Sequence, residues 1–174
     1  MSGVYLARTN QKLNFTRIHL DRLRDAQDST GWSKHALIES YNESVLFHMV
    51  SAYSSFLREI AEQYRFDADG ITKLKQLVEQ MQAQGLEAPE VAELQNLQLD
   101  KNSWLHNLLA AYKGCWRAED HQLSAGQAES LSEIHVMQIN PNHAEDGAII
   151  EEYQSWFESL KSLVERLRSA MQEW

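Results

Sequence analysis

Thirty-two consecutive residues, Ser33 to Tyr64, hold neither proline nor glycine and repeat their apolar side chains at helical spacing. Ile38, Tyr41, Val45, Met49, Ala52, Phe56 and Ile60 fall along one side. Leu46, Val50, Tyr53, Leu57 and Tyr64 widen that side to about half the circumference. A helix with so wide an apolar face must pack against more than one neighbour, so it is expected at the centre of a bundle.

The flanking sequence supplies the neighbours. Residues 1–9 read as a short lead, with Thr9 or Asn10 as the cap of a first helix that runs to about Gln27. Leu13, Thr16, Leu20 and Leu23 give that helix its inner face, and Gly31 suits the left-handed turn that closes it. Ser33 caps the central helix. Asp67 or Asp69 is expected to cap a third helix carrying Ile71, Leu74, Val78 and Met81, with Gly85 at its end. Pro89 fits the first turn of a fourth, where its missing N–H costs nothing. Asp100 or Asn102 marks a break, after which Trp104, Leu105, Leu108, Tyr112 and Cys115 continue to about Ala118.

The periodicity then stops. Residues 119–145 are polar and predict a long irregular loop, with a short extended segment at 133–139 before Asn140-Pro141. From about Asp146, Ile150, Tyr153, Phe157, Leu160, Val164, Leu167, Met171 and Trp174 step by three and four alternately, the pattern of a coiled-coil seam or a long bundle face. The expected fold is all-α: one domain over 1–174, an up-and-down helical bundle of five or six helices, with the loop before the C-terminal helix.

Composition narrows the function classes. A net charge of -9 with no dense basic run speaks against nucleic acid and anionic membranes as partners. The single cysteine, Cys115, leaves no internal disulfide and fits a reducing compartment. No apolar run approaches the roughly 20 residues of a membrane span, and the first residues lack the apolar core of a signal peptide. The expected location is cytoplasmic.

One polar constellation stands out. His35, Glu39 and Glu43 lie at i, i+4 and i+8 on the central helix, with Asn42 nearer its apolar middle and His48 at its border. As a site this would be metal-binding or acid–base chemistry. As structure it is a hydrogen-bonded network that fixes register. Helical carboxylate metal sites use Glu-x-x-His, which occurs nowhere in the chain, so no metal and no cofactor are expected. No phosphate-binding glycine loop, nucleophile elbow or zinc pattern is present. On the last helix, Trp156 and Leu163 flank the seam that ends in Met171 and Trp174. These four are the candidate interface for a homodimer or another protein partner.

Several runs carry a resemblance to a known family: Tyr5 to Leu13; Glu39 and Glu43 followed by Leu46-Phe47-His48; the pairs Glu59-Ile60 and Tyr64-Arg65; Ser103-Trp104-Leu105; Leu108 to Tyr112; and the closing Leu160 to Leu163, Arg166, Arg168 and Glu173-Trp174. Together they resemble a family of small proteobacterial proteins classed as a domain of unknown function, DUF6586. The resemblance spans nearly the whole chain apart from 119–145, and implies a stand-alone bacterial helical protein without an assigned activity. A distant likeness to HEPN-type helical bundles rests on the central helix alone. Their signature needs Arg, four to six residues, then His; Arg117 and His121 are separated by only three. The leading expectation is a non-enzymatic protein acting through self-association or a protein partner. The alternative is a HEPN-like ligand-binding or nuclease-type bundle using the polar stripe.

Overall fold

In the computed structural model, residues 3–117 and 147–172 are described. They form six helices and, among the described residues, no strand: α1 (Val4–Gln27), α2 (Lys34–Gln63), α3 (Leu74–Ala83), α4 (Pro89–Leu99), α5 (Trp104–Gly114) and α6 (Gly147–Gln172). The expected extended segment at 133–139 and nearly all of the expected loop lie outside the described residues.

The centre is α2, which packs against α1, α3, α5 and α6. Ile38, Val45, Met49, Ala52, Phe56, Leu57 and Ile60 are sealed from solvent. Each large side chain of this kind contributes about 1.5–3 kcal/mol by leaving water. The hairpin of α1 and α2 is antiparallel, since Ser55 donates to the Tyr5 carbonyl at one end (3.3 Å) while His19 meets Tyr41 toward the other. Along α1, α6 runs the opposite way: Arg24 reaches Gln154 (2.7 Å) and Asn10 reaches Arg168 (2.9 Å). It is therefore parallel to α2, and its face of Ile150, Tyr153, Phe157, Leu160, Val164 and Leu167 closes the core.

Ion pairs fix that closure. Arg168 forks onto Glu59 of α2 with Nε and Nη2 (2.8 and 2.6 Å), and donates from Nη1 to Asn10 of α1. One guanidinium thus joins three helices. Two residues earlier, Arg166 makes a two-pronged pair with Glu93 of α4.

Three helix ends differ from the sequence expectation. The first helix begins at Val4, not near Asn10, so most of the expected lead is already helical. Thr9 is an interior residue and not a cap: Thr9 and Thr16 are both buried, and each hydroxyl donates to the carbonyl four residues back (2.9 and 3.0 Å). A threonine satisfied in this way needs no helix terminus. Neither Asp67 nor Asp69 caps α3. The Gln76 side chain instead accepts from the Thr72 and Lys73 amides (2.8 and 2.9 Å), and Asp69 takes the Tyr5 hydroxyl. Finally, α5 stops at Gly114 instead of near Ala118.

Other ends, the close of α1 excepted, follow the expected chemistry. Pro89 occupies the first turn of α4, and the Ser103 hydroxyl accepts the His106 amide (3.0 Å) at the start of α5. Gly85 closes α3 with φ +63°, letting the Leu86 amide return to the Met81 carbonyl (3.0 Å). Gly31 is not left-handed; α1 ends earlier, where the Asp28 amide bonds the Arg24 carbonyl (3.2 Å).

Candidate functional site

The expected polar stripe does not form one site. Glu39 and Asn42 are buried, while His35 and Glu43 are exposed. The charges of Glu39 and Glu43 reach Cys115, just past the end of α5, and that of Glu39 reaches Tyr153 on α6. Burial pushes the Cys115 thiol up to about 11, and the charges of Glu43 and Glu39 add to the effect. Such a thiol stays protonated and is a poor nucleophile. Burial also raises Tyr153. Asn42 Oδ1 is buried without a hydrogen-bond partner among the described residues.

His48 lies on the other side of α2, against α1. Its ring is 4.7 Å from that of His19 and packs edge-on to Phe15 and Phe47 (5.4 and 5.2 Å). Burial, together with the positive charges of His19, Lys12 and Arg8, holds His48 down to about 4. The stripe is thus split between two faces of one helix. Among the described residues, no three His, Cys, Asp or Glu side chains gather closely enough to hold a metal ion.

The four interface candidates fare differently. Trp156 and Leu163 are buried inside the single chain, and Met171 is half-buried at the open end of α6. Trp174 lies outside the described residues, as does His121 of the Arg117–His121 pair.

A different site is assembled from five helices. A cavity of about 780 Å³ opens between α1, α2, α3 and α5, with Gln98 of α4 also in its lining. Its floor is apolar, with Val50, Leu74 and Leu109, and its walls carry Arg8, Lys12, Arg58, Lys73, Lys75 and Lys113. Six of the sixteen Lys and Arg side chains of the chain therefore line one opening, and among the described residues no Asp or Glu lines it.

Local structure explains each placement. Arg8 and Lys12 are one turn apart on α1, so they share a face. Arg58 is anchored from α2: its Nε donates to the Ile71 carbonyl (2.6 Å), and its guanidinium lies over the Tyr5 ring (5.3 Å). Lys73 and Lys75 flank the start of α3, and Lys113 sits in the last turn of α5. Of the six, only Lys75 pairs with a carboxylate among the described residues, Glu79 at 3.7 Å. Lys12 rests over the rings of Phe47 and Phe15 (5.0 and 5.8 Å). Burial and the nearby Arg8 charge lower its pKa, so its ammonium is held at a cost.

Sequence reasoning passed over this site because its cations come from positions 8, 12, 58, 73, 75 and 113, nowhere dense enough to read as a patch. The i, i+4 spacing of Arg8 and Lys12 was a local signal.

A family model described as a family of unknown function, DUF6586, matches residues 1–174, and the chain belongs to that family. No curated protein and no solved structure matches it. No helix among the described residues is long and apolar enough to cross a membrane.

Proposed function

We propose that this member of the DUF6586 family is a binding module for a small, multiply charged anion, held in the cavity between α1, α2, α3 and α5. One observation carries the reading: six cations and no described carboxylate line a single opening in a chain of net charge -9. The chain has 25 acidic residues, yet none is among the described lining of that opening, and Glu79 reaches only Lys75 at its rim. Like charges brought together in a concavity repel one another and raise the local potential for an anion. Lys12 illustrates the cost, being destabilised by burial and by Arg8. The volume suits a ligand of small-molecule size. The described lining holds no His, Cys, Asp or Glu, which favours binding over turnover. The ligand-binding alternative of the sequence thus moves from the polar stripe to the basic cavity.

Calorimetric titration with pyrophosphate at low salt tests this. Saturable binding is expected, weakening as salt rises. The double substitution Lys73→Gln and Lys113→Gln, both at exposed positions, removes two charge-assisted contacts and should weaken binding by about tenfold or more. No heat at millimolar pyrophosphate, or affinity indifferent to the double substitution, overturns the reading.

Self-association is a second proposal. At the far end of α6, Met171 borders a concavity with Leu6 and Phe66, and Leu6 is exposed. A second copy seated there would cover these side chains, and light scattering decides it. Twice 20.1 kDa supports the dimer, and 20.1 kDa removes it.

A further inference from the structure

Beside the cations stands an aromatic group that the fold leaves unused. Trp116 follows the end of α5, lines the same cavity and is 76% exposed. Trp104 and Trp156, by contrast, pack on the core. Indole is the largest apolar side chain, and leaving most of it in water forgoes stabilisation that burial would supply. Its one described ring neighbour is Tyr112, met edge-on at 6.2 Å and 83°. An edge-on contact steadies the indole plane without stacking a second ring on it. Lys113 stands three residues before Trp116 and lines the same opening.

We infer that the anion bound in the cavity is carried on a flat aromatic ring that stacks on Trp116, so that the ligand class is a phosphorylated aromatic molecule such as a nucleoside di- or triphosphate. This rests on the anion-binding reading above and adds the ring to it. The division of labour is physical. Phosphate oxygens are met by Arg8, Lys12, Arg58, Lys73, Lys75 and Lys113, whose donors suit anionic oxygens. The ring is met by the indole, whose face stacks on bases of any sequence. Polar groups for the rest of the ligand are at hand. Gln98 gives its amide N–H to the Tyr53 hydroxyl (3.3 Å), and its amide oxygen makes no hydrogen bond among the described residues. The Ser51 hydroxyl likewise lines the cavity without a partner among the described residues. Aromatic phosphates occur free and at the ends of nucleic-acid strands. The clustering of the six cations in one cavity, within a chain of net charge -9, favours the free molecule over a strand, which needs a positive track.

The test compares three probes on the full chain at one ionic strength: pyrophosphate, ADP, and a single-stranded oligonucleotide. ADP should bind at least tenfold more tightly than pyrophosphate and quench tryptophan emission. Trp116→Ala should abolish the quench and bring ADP down to the pyrophosphate affinity while leaving pyrophosphate binding unchanged. Trp116→Phe should restore part of the ADP margin. Equal affinity for ADP and pyrophosphate overturns the ring assignment and leaves the anion reading standing. An ADP margin that survives Trp116→Ala overturns the assignment to Trp116. Tighter binding of the oligonucleotide than of ADP overturns the small-molecule class, and failure of all three probes removes both readings.

Discussion

Arg168 is the residue on which most of the assembly converges. Its partner Glu59 is buried, and its own side chain is largely covered, so the pair is shielded from solvent and salt. Such a pair adds little net stability over an apolar substitute, yet losing one member strands the other charge. Arg168→Met should therefore cost about 3–5 kcal/mol in urea denaturation, whereas Arg168→Met with Glu59→Leu should recover most of it. His48 makes a second residue-scale prediction. Its folded pKa of about 4 lies below the ordinary 6.5, so the unfolded chain binds the proton more readily. Stability contributed by neutral His48 is complete above 6.5 and is lost as pH falls toward 4. The denaturation midpoint should drop between pH 7 and pH 5, and His48→Phe should flatten that drop. Lys12, Arg8 and His19 face the same ring and keep the direction of the effect fixed.

Among the elements, α2 carries the bundle. Phe56 is fully buried at its centre, and Phe56→Ala should lower stability by about 3–5 kcal/mol, read from the midpoint of a two-state transition. This helix was legible in the sequence because its pattern is long and uninterrupted, and so was α6, whose seam registers without a slip. The helix starts were harder. Thr9 looks like a cap in sequence, since its hydroxyl serves a free amide or a carbonyl four residues back equally well. Only contact with α2 decides between them. Gln76 was missed for a related reason: glutamine closing a helix start from inside the helix leaves a fainter mark than aspartate before it. At Trp156 and Leu163 the pattern showed an apolar margin, and packing alone says that the chain itself covers both.

At the scale of the whole molecule, the cationic cavity was illegible because it is a product of topology. Six side chains spread over more than a hundred positions meet only after four helices have docked. The polar stripe had the opposite fate, being compact in sequence and split in space by the turn of α2. If the cavity takes a polyanion, binding must raise thermal stability by mass action. The melting temperature should climb with pyrophosphate concentration, and Lys73→Gln with Lys113→Gln should abolish most of that climb without lowering the melting temperature of the free protein.

The opposed directions of α1 and α6 also set an order in time. The hairpin of α1 and α2 turns within the few residues between Gln27 and Lys34, so its first contacts close a short loop. The contacts of α6 with α1 join residues 130 and 158 positions apart, and must wait for a much longer closure. Folding that begins at the hairpin and finishes with the last helix follows from that difference. Leu23, buried beside the hairpin turn, and Leu160, buried in α6, serve as reporters. In stopped-flow experiments Leu23→Ala should slow refolding, while Leu160→Ala should mainly speed unfolding. The reverse assignment would place the nucleus at the closing helix.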